Sequence, residues 1–172
     1  MKRNVRLLLS GLLALAIAPL AASPSFTAAI GGDFFNYEDS FLDISGAYIV
    51  PLQDDLELNI GAAFALATEE KDGDIEAVFY IPMDLGLNFL FPGRGNISYL
   101  LGAGVTTQLL FTDENRLYAG PSIKGGLRLQ THEYMQWIVE VQQDLLIGPP
   151  DWINTSTRVR TGLQFSFEAP VD

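Results

Sequence analysis

From residue 56 to residue 167, large apolar residues occupy alternate positions, with small or polar residues between them. In one segment Ile75, Ala77, Phe79, Ile81, Met83, Leu85, Leu87 and Phe89 share one parity, while Glu76, Tyr80, Asp84, Gly86 and Asn88 share the other. Side chains alternate across a β-strand but recur every 3.6 residues on a helix, so a period of two predicts strands. The same beat returns in at least five further segments.

Eight strands are expected, near residues 26–35, 41–50, 56–67, 75–90, 97–111, 117–130, 134–147 and 153–167. The connectors, 36–40, 51–55, 68–74, 91–96, 112–116, 131–133 and 148–152, carry turn residues and are short. Short connectors make sequence neighbours pair as antiparallel hairpins, and closing the first strand on the last removes exposed edges. Pro82 and Pro121 fall inside expected strands, where each removes a ladder hydrogen bond and points to a bulge or a misplaced boundary.

Residues 1–22 have the anatomy of a secretory leader: basic Lys2, Arg3 and Arg6, an apolar run, then small residues, with cleavage expected near Ala22 or Ser25. Residues 23–172 then form one domain. The formal net charge of −11 becomes −14 without the leader's three basic residues, so nucleic acid is not an expected partner. With no cysteine and only His132, neither thiolate chemistry nor a multi-histidine metal site is expected, and no cofactor is implied. Mean hydropathy is nevertheless positive, at +0.20, although no later stretch is apolar for long enough to be a spanning helix. Alternating strands of a membrane barrel produce this combination.

Alternation alone also fits a soluble barrel with its apolar face inside. Volume separates the two: eight tilted strands enclose a tube of radius about 8 Å, too narrow for some forty bulky side chains. The small-residue face fits that space, and the charges on it have alternating signs. A lumen ionic network is expected from Asp84, Lys124, Arg128, Glu140, Asp144, Arg158 and Arg160. Turn positions set Lys124 opposite Glu140, Glu140 opposite Arg158 or Arg160, and Gly104 between Asp84 and Lys124. Such groups are costly to bury unpaired, and the expected role of the network is to plug the barrel. On the other face Tyr48, Phe89, Tyr99, Phe111, Trp137, Phe165 and Phe167 sit toward strand ends, as girdle residues at a headgroup boundary would. An even strand count puts both termini on the periplasmic side. The opposite rim then collects Glu38, Asp39, Glu69, Glu70, Asp72, Asp74, Asp113, Glu114 and Asp151.

With its leader, its glycine-interrupted strands (Leu101-Gly-Ala-Gly-Val105, Gly125-Gly-Leu-Arg-Leu129) and its closing Leu163-Gln-Phe-Ser-Phe167, the chain resembles small outer-membrane barrels of the OmpA/OmpX type. The resemblance implies an all-β, eight-stranded antiparallel up-and-down transmembrane barrel in the outer membrane. It also implies recognition of the final strand by the outer-membrane assembly machinery, with Phe167 as the aromatic signal, although here Glu168-Ala-Pro-Val-Asp172 follows it. The expected partners are therefore the lipid bilayer and that machinery; the sequence names no surface partner. The role expected is structural or surface-interacting, with no enzymatic activity. Two alternatives are a soluble periplasmic lipocalin-like barrel binding an apolar ligand and an outer-membrane lipid-modifying enzyme. His132 is poorly placed for the latter, on the expected periplasmic turn beside Glu133.

Overall fold

The computed structural model describes residues 23–71, 74–111, 115–149 and 152–167; the expected leader and its cleavage site lie outside them, as do residues 168–172. Eight strands follow in order: β1 (Ser25–Phe35), β2 (Asp39–Gln53), β3 (Leu56–Lys71), β4 (Asp74–Pro92), β5 (Ile97–Phe111), β6 (Arg116–His132), β7 (Met135–Leu146) and β8 (Asn154–Ser166). Each pairs antiparallel with its neighbours, and β8 returns to β1 to close the barrel. The fold is the all-β up-and-down barrel expected from the alternation.

The largest departure is at the connector expected over 68–74, most of which is strand. The β3–β4 ladder continues through Thr68↔Ala77 and Glu69↔Glu76 to Lys71↔Asp74. Period-two alternation does not stop where the residues turn polar, so backbone pairing outruns the apolar segment. The expected acidic rim is accordingly redistributed. Glu38 and Asp39 are exposed at the β1–β2 turn, whereas Glu69, Glu70 and Asp74 belong to the extended hairpin. Asp72, Asp113, Glu114 and Asp151 lie outside the described residues.

Register fixes the shape of the tube. A path across the ladders from Ser25 runs through Ile49, Asn59, Gly86, Gly104, Ser122, Asp144 and Ser156 and returns to β1 at Phe35, ten residues from its start. Eight strands with this stagger tilt by about 40° and leave a backbone cylinder of about 8 Å radius. Neither proline makes a bulge. The β3–β4 ladder skips the positions beside Pro82, between Ala62↔Met83 and Ala65↔Tyr80, and resumes in the same register. On the other side of β6, the β6–β7 ladder starts at Ser122 and reappears beyond Pro121 as the Ala119↔Ile147 bridge, again in register. Each proline loses bonds to one neighbour while keeping its partner on the other, Gln108 for Pro82 and Val105 for Pro121. Register shifts occur instead near two hairpins, at Pro51/Gln53 and Gln130/His132.

The closing seam has its own fastening. Asn36 and Tyr37 both take left-handed backbone (φ 50° and 58°), a costly conformation for a tyrosine. The Asn36 side chain accepts from the Thr155 amide at 2.8 Å and donates to Asn154 at 2.9 Å, and the Tyr37 hydroxyl donates to Gln143 at 3.2 Å. The β1–β2 turn is thus tied to β8 and β7 across the seam.

Close backbone approach yields a test. Gly86 and Gly104 are ladder partners, and a Cβ added at Gly104 would fall 2.6 Å from the Gly86 Cα. One added at Gly125 would meet only the Leu100 carbonyl, at 3.9 Å. Gly104→Ala should destabilise by about 1–3 kcal/mol in urea unfolding, and Gly125→Ala by no more than about 0.5 kcal/mol.

Candidate functional site

Alternation places one side chain in two inside the tube, and the stagger arranges those side chains in storeys. At the end carrying the termini, Ile49, Leu100 and Ile138 are buried beside a bidentate ion pair. Arg128 donates from Nη1 and Nη2 to the two carboxylate oxygens of Glu57, at 2.7 and 2.8 Å. These residues stand on β6 and β3, so the pair spans the lumen. Gln164 donates to Ser25 at 2.7 Å in the same storey, stitching β8 to β1.

Further along, the inward positions are mostly glycine: Gly61, Gly86, Gly102, Gly104, Gly126 and Gly162. Lys124 and Glu140 project among them and are half-buried. The next storey centres on Arg158, which is fully buried. Its Nη1 donates to Asp84 at 2.9 Å; its Nη2 donates to Asp84 at 2.7 Å, to Asp144 at 2.6 Å and to Thr106 at 3.3 Å. Gln142 donates to both Asp84 (3.0 Å) and Asp144 (2.9 Å), bridging the two carboxylates. Arg160 makes a second fork, from Nε and Nη2 to the two oxygens of Asp43, at 2.8 and 2.9 Å. Ser156 donates to Asp33 at 2.5 Å, and Asp33 also lies 4.0 Å from Arg158 Nε.

Above the ions an aromatic cap fills the far end. Phe41, Ala65 and Tyr80 form a buried cluster, with Phe41 edge-on to Tyr80 at 4.7 Å between ring centroids. Phe35 packs edge-on to Tyr118 at 5.4 Å. Ions therefore sit between an aliphatic floor and an aromatic ceiling.

Most of the cross-strand partners differ from those expected. Lys124 is opposite Gln142, and Glu140 is opposite Gly126, because the β6–β7 turn lies at residues 133–134, later than the expected 131–133. Of the two arginines offered for Glu140, the ladder pairs it with Arg160. Asp84 lies opposite Thr106, and the glycine beside Lys124 is Gly102 rather than Gly104. Contacts across the lumen, unlike ladder neighbours, cannot be read from turn positions. Asp33, Asp43 and Glu57 were not anticipated, although they hold the inward parity of their strands and supply counter-charges to three arginines.

On the outer wall Tyr48, Phe89, Tyr99, Trp137 and Phe165 are exposed near the termini, joined by Phe26 and Phe91, and Phe167 lies just beyond β8. Phe111 stands at the opposite end, stacked on Phe79 at 5.0 Å, which in turn meets Phe64 at 5.5 Å. On β4, Phe89 and Phe79 are ten residues apart, which at this tilt separates the two aromatic levels by about 25 Å. Between them the wall exposes Ile44, Ile60, Leu85, Leu87, Val105, Ile123 and Val141.

No family model matches the sequence, and no curated protein matches it significantly. Solved structures do match. Neisserial surface protein A superposes with a TM-score of 0.65 at 8% identity, covering 84% of this chain and 96% of that one. The outer membrane protein OprG from Pseudomonas aeruginosa gives 0.60 at 11% identity, covering 88% and 99%. A de novo designed transmembrane β-barrel gives 0.51 at 11% identity, covering 86% and 99%. The fold is that of the small outer-membrane barrels. At these identities the likeness extends to architecture, and the side chains must carry any further argument.

Arg158 is the keystone of the described lumen. Arg158→Met leaves Asp84 and Asp144 buried without their shared cation and should cost about 3–5 kcal/mol in urea unfolding. Arg94→Ala, at an exposed turn position, should stay within about 0.5 kcal/mol.

Proposed function

We propose that this chain is an integral outer-membrane barrel with a lumen plugged by its own side chains, serving a structural or surface-interaction role. The observation that carries this reading is the inverted distribution of polarity. Arg158, Asp33, Asp43 and Asp144 have no exposure at all, whereas Ile123 is 62% and Leu101 57% exposed. A soluble chain rarely exposes a contiguous apolar patch beyond a few hundred Å², and here such a surface surrounds the barrel. Lipid tails solvate that surface, and closure satisfies the backbone without water. The spacing of about 25 Å between the aromatic levels suits the apolar band of such a barrel, and the aromatic residues act as its girdles.

Two further features belong to the proposal. The leader, residues 1–22, directs export, and β8 with Phe165 and Phe167 engages the assembly machinery. The lipocalin-like alternative needs an apolar lumen with room for a ligand, a cavity of some 300 Å³ or more. The inward face is instead charged and glycine-rich, and the two described cavities around Lys124 hold only about 20 and 10 Å³. Catalysis is not part of the proposal: His132 stacks on Tyr134 at the β6–β7 hairpin, away from the ionic storey.

Carbonate-washed membranes should retain the protein, and unheated samples should migrate differently from boiled ones on a denaturing gel. Release by carbonate would refute insertion. Purified protein in planar bilayers should give near-zero conductance, and steady single-channel currents would refute the plug.

A further inference from the structure

Every described lumen arginine meets a carboxylate directly, through Arg128–Glu57, Arg158–Asp84 and Arg160–Asp43. Lys124 does not. It enters no described salt bridge or hydrogen bond, and the same holds for Glu140. Their attraction, and that of Lys124 for Asp84, acts at longer range. Both side chains line one cavity of about 20 Å³, together with Asn59, Gly61, Asp84 and Arg160. A second cavity of about 10 Å³ adjoins Lys124 and is lined by Ser122, Gln142 and Gly102 among others. The glycines create this space: Gly102 lies between Asn88 and Lys124 in the ladders, and a Cβ there would fall 2.6 Å from the Asn88 side chain and 2.8 Å from that of Lys124. Asn88 is fully buried, and neither end of its amide has a protein partner.

An ammonium group carries three donors, and a half-buried one with no protein partner leaves them to solvent. One water needs roughly 10–15 Å³ and two to four polar partners. The larger cavity meets both conditions, and the smaller lies at the lower limit of volume. We infer that the glycine storey is a built water-binding site, in which one or two bound waters join the Lys124 ammonium to Glu140 and Asp84. The lumen then contains two kinds of ion pair, direct ones at Arg128, Arg158 and Arg160 and a solvent-separated one at Lys124. The neighbouring carboxylates disfavour an anion in the hollow. The site follows from the lumen geometry and does not depend on where the barrel resides.

Gly61 makes the inference testable by the sign of an effect. Its added Cβ would find only ordinary contacts, at 3.6 Å from Ala47 and 3.8 Å from Asn59, so alanine fits and takes up part of the hollow. If water occupies the hollow, Gly61→Ala displaces solvent from Lys124 and lowers the urea midpoint by roughly 0.5 M relative to Gly125→Ala. In the Lys124→Met background there is no ammonium to strip of solvent, so the same substitution should lower the midpoint by less. A rise in both backgrounds would show a dry cavity and overturn the inference. Replacing sodium by choline at equal ionic strength should leave the midpoint unchanged; a fall would assign the hollow to a cation instead. A crystal structure of the unmutated protein should show solvent density between Lys124 Nζ and Glu140, and a direct contact between those groups would equally refute the site.

Discussion

Eight strands staggered by ten residues leave a tube whose interior is only as wide as two side chains meeting tip to tip. Most of the observed chemistry follows from that width. Large apolar residues do not fit in number, so they face outward. Long charged residues fit if they reach across and find each other, as Arg128 and Glu57 do from β6 and β3. Where two long side chains would collide, glycine appears instead. The narrow bore also explains why planar forks dominate: a guanidinium offers several donors in one plane and satisfies two carboxylates from one position, as Arg158 does with Asp84 and Asp144.

Burying this much charge is not a simple source of stability. Desolvating an ion pair can cost more than its mutual attraction returns, whereas removing a single partner is severe. What the network supplies is specificity of closure. Asp33 and Asp43 on β1 and β2 meet Arg158 and Arg160 on β8, the strand that must find β1 last. A slip of one residue would turn these groups outward and apolar residues inward. The buried charges and the Asn36 contacts at the seam therefore favour one register over its neighbours.

Parity was the legible part of the sequence. It placed Asp84, Arg128, Asp144, Arg158 and Arg160 on the face that is buried, and Phe89, Tyr99 and Trp137 on the face that is exposed. Depth around the tube was not legible in the same way. Turn positions predict ladder partners only when the turn is placed to the residue, and a β6–β7 turn at 133–134 instead of 131–133 is enough to move Lys124 away from Glu140. Contacts between strands three or more apart depend on the closed stagger, which no hairpin reveals alone. Asp33, Asp43 and Glu57 were visible by parity, but each is a lone inward charge on its expected early strand, which did not draw attention to it. The aromatic ceiling was missed for a different reason. Phe35, Phe41 and Tyr118 hold inward parity, yet a face rich in small residues obscures a few large ones gathered at one end.

The lumen's division into storeys bears on where activity could reside. An aliphatic floor, two direct ionic layers, a glycine hollow and an aromatic ceiling stand in series along the bore, so a solute passing through would have to disrupt each in turn. The described lumen arginines are engaged with carboxylates, and the hollow beside Lys124 is small. On the proposed reading, interaction with other molecules falls to the outer wall and the strand connections. At the far end from the termini, Tyr37 is 70% and Trp152 68% exposed, and both are held in left-handed backbone. Left-handed geometry is costly for aromatic residues and persists only where surrounding contacts enforce it. For Tyr37 those contacts are the bonds across the seam, which couple the presentation of an exposed ring to correct closure of the barrel.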